Sequence, residues 1–180
     1  MLPRRTGALH AHRWSEPAAI YFVTCCTRNR APGLTGAAIA GALRETVQGL
    51  DADGDTDTHA FTVMPDHVHW LLALGDRLSL GRIVVRLKTQ TKATLETRGF
   101  AWQRDFFEHR LRADEAVEPY GLYIFLNPYR ARLLSPAESW PHWWCPQPGH
   151  FRFMTLLRDG QAPPSDWIGE PVPDGLPVGE

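Results

Sequence analysis

Two short strings in this chain carry side chains whose types and spacing could do chemistry. The first is His67-Val68-His69. In a strand, residues two apart point to the same face, so both imidazoles project together. Two neutral imidazoles on one face make a bidentate site for a divalent cation. The second string is Tyr123-Ile124-Phe125-Leu126-Asn127-Pro128. On a helix, Tyr123 and Asn127 are four apart and share one face. Two imidazoles and an amide oxygen can hold a cation with open positions, and a tyrosine beside it supplies an oxygen nucleophile. A phenol titrates near about 10, so it needs a nearby cation or base to attack at neutral pH. A phosphodiester needs its charge neutralised and its leaving oxygen placed, which a metal ion does. Each string also has a plain structural use: two polar residues on a half-exposed strand, and an amphipathic helix with an asparagine C-cap. A different metalloenzyme, a hydrolase built on the His-x-His pair, would leave the Tyr–Asn spacing as coincidence.

The surrounding pattern says which elements must position these groups. Ile20 to Thr27 is β-branched, aromatic and small, and reads as a strand ending at Arg28-Asn29-Arg30 and Pro32-Gly33. From Thr35, a plausible cap, Ile39, Ala42, Leu43, Val47 and Leu50 recur at helical spacing. Asp51 to Asp57 reads as a polar loop, followed by strands over Ala60 to Met64 and His67 to Leu74 around Pro65-Asp66. Val68, Trp70, Leu72 and Leu74 would face a core. From Ser79, the positions Leu80, Ile83, Val84, Leu87, Thr91 and Leu95 mark an amphipathic helix, with Arg82, Arg86, Lys88 and Lys92 on its other faces. Trp102 to Leu111 reads as a strand or extended segment. A last helix spans about Glu118 to Leu126, with Pro119 tolerated only in its first turn and Pro128 stopping it. The order β-α-β-β-α-β-α approximates a ferredoxin-like pattern.

Length and charge set further bounds. The chain has 180 residues, 43% of them hydrophobic, enough for a packed core and against general disorder. Net charge is −1, built from charged blocks: residues 1–50 give +4, 51–76 give −6, 77–112 give +6, 113–132 give −1 and 133–180 give −4. Local anion binding fits this pattern; coating nucleic acid by bulk positive charge does not. Cys25, Cys26 and Cys145 make a poor disulfide or zinc framework and read as reduced intracellular thiols. The expected location is therefore cytoplasmic, and with no apolar run near the length needed to span a bilayer no membrane partner is expected. A tail from Ser135 carries Trp140, Trp143, Trp144, Phe151, Phe153 and Trp167, which suggests docking on the body.

Several strings together resemble a known family. Val63-Met64-Pro65-Asp66-His67-Val68-His69-Trp70-Leu71-Leu72 resembles the HUH motif of single-tyrosine transposases. Trp102-Gln103-Arg104-Asp105-Phe106-Phe107-Glu108-His109 resembles the segment before the catalytic helix of REP-associated tyrosine transposases, and Tyr123 to Pro128 with Arg130 is similar to that helix. Tyr21-Phe22-Val23-Thr24, Arg28-Asn29-Arg30, Trp140-Pro141 and Asp166-Trp167-Ile168-Gly169 fit as well, so the likeness covers about residues 13–170. It implies an α+β fold: a ferredoxin-like HUH nuclease domain over 13–134, with a central antiparallel sheet flanked by helices. An extended C-terminal tail over 135–170 docks on it, and residues 1–12 and 171–180 are expected to be flexible. The implied activity is cleavage and joining of single-stranded DNA beside hairpin-forming repeats, through a covalent 5′-phosphotyrosine. Tyr123 would be the nucleophile, and His67, His69 and Asn127 would hold Mg²⁺ or Mn²⁺. The protein would act as a monomer or homodimer.

Within that reading some roles stay open. Tyr120 and Tyr129 flank the helix as rival nucleophiles, but only Tyr123 has an asparagine four residues on. Glu108 and His109 are candidates for catalytic support. Arg82, Arg86, Lys88 and Lys92 are candidate DNA contacts or a solvated helix face. If Pro119 kinked the helix, Tyr123 would be displaced, and the chain would be a domesticated hairpin-binding protein with little cleavage.

Overall fold

The structure is a computed structural model and describes residues 15–157 and 162–176. The elements are β1 (Ile20–Cys26), α1 (Ala37–Ala52), β2 (Thr56–Val63), β3 (His67–Leu74), α2 (Leu80–Glu96), β4 (Phe107–Arg110), α3 (Val117–Arg130), β5 (Trp143–Trp144) and α4 (Arg152–Leu156). Single 3₁₀ turns form at Arg28–Arg30, Pro148–His150 and Ser165–Gly169. The sheet order is β4-β1-β3-β2-β5, and every pairing is antiparallel. This is the expected ferredoxin-like α+β arrangement with one short strand added at the β2 edge.

Alternation along the strands divides the molecule into two cores. Val23, Cys25, Val63, Val68, Trp70 and Leu72 point to one face, where α1 and α2 bury Ile39, Leu43, Val47, Ile83, Val84 and Leu87. Phe22, Ala60 and Leu71 point to the other, under Tyr120, Tyr123, Ile124 and Leu126 of α3. Residues at the same register alternate between these layers, so β3 serves one core with Trp70 and the opposite layer with His67 and His69.

Several boundaries differ from those expected. α1 starts at Ala37 with Gly36 as N-cap, so Thr35 is not the cap. The Asp51–Asp57 loop is short because Asp51 joins its two neighbours: its Oδ1 accepts from the Thr56 and Thr58 hydroxyls at 2.5 and 2.9 Å. Only Phe107–Arg110 of the extended segment forms a strand, while Trp102 makes a lone bridge to Thr27. Pro128 does not stop α3, which runs to Arg130. A proline there removes one N–H from the final turn, and Pro128 and Tyr129 are both buried. Pro119 sits in the first turn, where it is tolerated.

The tail lies on the α3 layer. Trp143 and Trp144 pair with Thr62 and Phe61 of β2, and Phe151 and Phe153 are buried in the second core. Gly121 makes this possible: a Cβ there would meet the Phe151 ring at 2.2 Å. Residues 1–12 and 177–180, expected to be flexible, lie outside the described residues, and Leu176 is buried.

Candidate active site

The site forms where β3 begins, beneath α3. The β2–β3 turn is pinned by its backbone: Met64 N–H donates to the His67 carbonyl at 2.8 Å, and Thr27 N–H to the Asp66 carbonyl at 2.9 Å. His67 and His69 then project side by side, both buried, with their Nε2 atoms 3.0 Å apart. The opposite ring nitrogens are engaged. His69 Nδ1 meets Thr24 Oγ1 at 2.9 Å, its cross-strand register partner. His67 Nδ1 meets Asp66 Oδ1 at 2.7 Å, and Asp66 Oδ2 is 2.8 Å from Arg30 Nε. Engaging Nδ1 leaves Nε2 to face a common point, the orientation that ligating histidines use.

Asn127 completes the cluster, its side-chain amide 3.1 Å from His69 Nε2. Amide oxygen and nitrogen are assigned from the hydrogen-bond network, so the oxygen can occupy this position when a cation replaces the contact. His67 Nε2 and the Asn127 amide lie 3.0 and 3.1 Å from His69 Nε2, so one small divalent cation could be held among them. Burial, with repulsion from His67 and Arg30, holds His69 well below the imidazole range and therefore neutral. A neutral imidazole is the ligating form. Among the described residues no three His, Cys, Asp or Glu side chains converge on one point, and the Asn127 amide is the further polar group beside the two imidazoles. The donor set fits a divalent cation that keeps open positions.

Tyr123 is buried against this cluster. Its ring centroid is 5.6 Å from that of His69, and the Arg130 guanidinium stacks 5.6 Å from the Tyr123 ring centre. Arg130 is held by the tail, donating from Nε to the Ile168 carbonyl at 3.1 Å and from Nη2 to the Glu170 carbonyl at 2.7 Å. Its Nη1 is buried with no hydrogen-bond partner. A cation over the ring face favours the phenolate relative to the phenol.

The rival tyrosines are committed elsewhere. Tyr120 Oη donates to Glu115 Oε1 at 2.9 Å, its ring stacks on His109, and burial with the Glu115 carboxylate raises its pKa above the ordinary phenol value. Tyr129 Oη donates to the Glu138 carbonyl at 2.8 Å, and burial raises its pKa as well.

Not every candidate joins the cluster. His109 Nε2 is 3.0 Å from Glu115 Oε1 and 2.9 Å from Tyr120 Oη, in a network of its own. Glu108 pairs in register with Val23, which places it on the opposite sheet face from the histidines. The basic helix α2 also lies across the sheet, on the first core. Two of its cations have internal partners: Arg86 binds Asp55 and Asp53, and Lys88 Nζ donates to the carbonyls of Gln103, Arg104 and Asp105. Lys92 lies 3.7 Å from Glu96, and Arg82 is exposed. Thr24, Asp66, Arg30 and Arg130, by contrast, support the cluster without having been singled out as site residues. Only pairing register and chain crossings bring Thr24 and Arg30 there, while Asp66 is adjacent in sequence and Arg130 lies two helical turns beyond Tyr123 on α3.

Comparison with known proteins adds an independent line. A family model described as IS200-like transposase matches residues 17–117, a stretch that holds both histidines and ends before Tyr123. A Haemophilus influenzae protein assigned as a REP-associated tyrosine transposase is 30% identical over 131 residues, covering 64% of this chain and 68% of that protein. The REP-associated tyrosine transposase of Escherichia coli K12 is 27% identical over 162 residues, covering 88% of this chain and 90% of its own length. A solved REP-associated tyrosine transposase bound to a REP hairpin superposes with a TM-score of 0.63 at 22% identity, over 74% of this chain and 81% of that one, a likeness of fold.

Proposed function

Because this chain belongs to the IS200-like transposase family, we propose that it cleaves and rejoins single-stranded DNA beside hairpin-forming repeats, with Tyr123 as nucleophile. The observation that carries this reading is convergence: His67 Nε2, His69 Nε2 and the Asn127 amide meet at 3.0–3.1 Å, with the Tyr123 ring against His69. Bound by His67, His69 and Asn127, Mg²⁺ or Mn²⁺ would supply charge neutralisation and polarisation of the phosphodiester. Imidazole ligands favour Mn²⁺ by softness, and availability favours Mg²⁺.

The chain's own residues do the rest. Asp66 and Thr24 fix the imidazole rings through Nδ1, so both Nε2 atoms stay aimed at the phosphate side. Arg130 stabilises negative charge as the Tyr123 phenol loses its proton. The phenolate oxygen then forms a bond to phosphorus while the bond from phosphorus to the 3′ oxygen breaks; solvent water takes the phenol proton and returns one to the departing 3′ oxygen. A 5′-phosphotyrosine and a free 3′-hydroxyl result, and rejoining by another 3′-hydroxyl regenerates the phenol without an external energy source. The low solvent exposure of the site strengthens each of these charge interactions.

The alternative of a hairpin-binding protein without cleavage rested on Pro119 displacing Tyr123. α3 is continuous through its first turn, and Tyr123 lies against His69. The deciding experiment incubates labelled hairpin DNA carrying a single-stranded flank with Mn²⁺ and looks for a protein–DNA adduct on a denaturing gel. The wild-type chain gives an adduct and Tyr123→Phe gives none. An adduct that survives in Tyr123→Phe overturns the nucleophile assignment, and tight binding with no wild-type adduct favours the non-cleaving alternative.

A further inference from the structure

A cavity of about 650 Å³ opens at the end of the β1–β4 pair. Its wall includes Thr24 and Arg30, the side chains that orient His69 and, through Asp66, His67. It therefore adjoins the candidate active site at the sheet edge. The remaining wall comes from Cys26 of β1 and from Gln103, Asp105, Phe106 and Phe107, part of a segment that the cleavage chemistry leaves unused.

Two features show that this wall is built rather than incidental. The 103–105 loop is locked from beneath: Lys88 Nζ donates to three successive carbonyls at 2.8, 3.3 and 3.0 Å, and Gln103 N–H donates to the Cys26 carbonyl at 2.8 Å. The Gln103 and Asp105 residues themselves remain exposed on this fixed backbone. On the facing side, Asn29 and Arg30 hold φ of +58° and +54°. Such a conformation is costly for arginine and persists where the surroundings impose it, often at functional sites. It lets Arg30 reach both Asp66 and Cys26 Sγ, the latter at 2.9 Å.

The chemistry of the wall selects an occupant. Phe106 and Phe107 give the cavity an apolar floor, each half-buried against one of the two cores, with the Lys88 ammonium over the Phe106 ring. A glutamine amide matches the adenine edge, and a carboxylate accepts from the cytosine amino group. A guanidinium suits a phosphate oxygen. A free phosphate would have no use for the rings, and a metal ion would find one carboxylate. We infer that this cavity holds one unpaired nucleotide of the DNA strand next to the scissile phosphodiester, its base read by Gln103 and Asp105. The inference rests on the proposed function and deepens it, by giving the same site a base preference.

Its test reads binding rather than cleavage. Tyr123→Phe protein keeps the DNA intact, and labelled hairpins with a single-stranded flank carry an abasic site at each flank position in turn. One position next to the cleavage point should weaken binding about tenfold, as loss of the hydrogen bonds that read one base does. In the same background, Gln103→Ala with Asp105→Ala should reduce that penalty to within about twofold while hairpin binding persists. Gln103→Glu, which keeps the size and replaces the amide donor, should change which base is favoured. An unchanged tenfold penalty in the double variant, or no sensitive position at all, overturns the pocket. If the pattern holds but wild-type protein forms no adduct, the pocket stands and the cleavage reading falls.

Discussion

Asp66 shows how much of the site depends on a residue that touches no substrate. Its carboxylate sits between His67 Nδ1 and Arg30 Nε, and the hydrogen bond from His67, with the nearby charges, lowers its pKa below the usual carboxylate value. Replacing it with alanine frees the His67 ring to rotate and removes the group that sets its tautomer. Outer partners of this kind typically contribute roughly 10–100-fold in metal affinity. Asp66→Ala should therefore weaken Mn²⁺ binding by about that factor in a calorimetric titration, with the fold retained; an unchanged affinity would remove Asp66 from the relay. The histidines were legible because a strand has period two, and Tyr123 with Asn127 because a helix brings i and i+4 together. Thr24 was not, since its partnership with His69 exists only in the β1–β3 register. Arg130 became meaningful only when the tail carbonyls of Ile168 and Glu170 were seen to fix it over Tyr123.

The elements differ in how openly the sequence announced them. β3 and α2 match their expected limits because each pattern is uniform: one face alternates through Val68, Trp70, Leu72 and Leu74, and Ser79 caps α2 with its side chain. β4 is shorter than its sequence run, since Lys88 holds 103–105 as a loop where a ladder would otherwise extend. α3 is longer, since burial of Tyr129 and Pro128 in the second core outweighs the missing N–H. Its contact with the tail can be tested at one atom. Gly121→Ala places a methyl group 2.2 Å from the Phe151 ring, so either the ring or α3 must move. Overpacking of this kind costs about 1–3 kcal/mol. Thermal unfolding should shift down accordingly, and adduct formation should fall as Arg130 loses its tail support. A variant as stable and active as the parent would show that the tail does not brace the helix.

At the scale of the whole molecule, the sheet separates two layers: α1 and α2 supply one core, and α3 with the tail covers the candidate site. The tail is joined to β2 by His59 and His150, whose Nδ1 atoms are 3.3 Å apart. Burial lowers the His59 pKa, with Asp57 opposing and His150 adding to the shift. The unfolded chain therefore takes up a proton before the folded one does, and stability should fall as pH drops below about 6.5 towards the lower folded value. His59→Phe should flatten that part of a pH–melting profile; an unaltered slope would place the titration elsewhere. Net charge bears on DNA in a similar way. The −1 total conceals +6 over residues 77–112, a pattern open to two readings, DNA contacts or a solvated helix face. In the fold Arg86 is bound to Asp55 and Asp53, and Lys88 to backbone carbonyls, on the layer away from Tyr123. Few charges of α2 can then release counterions from DNA, and each phosphate contact contributes about 0.7–0.9 to the slope of log affinity against log salt. Arg82→Ala and Lys92→Ala should each reduce that slope by at most about one. Lys88→Ala should instead loosen the 103–105 loop and weaken flank binding at every salt concentration, because its charge holds the protein's own backbone. A slope that drops by about one in Lys88→Ala, with flank selectivity unchanged, would show that α2 meets phosphate directly after all.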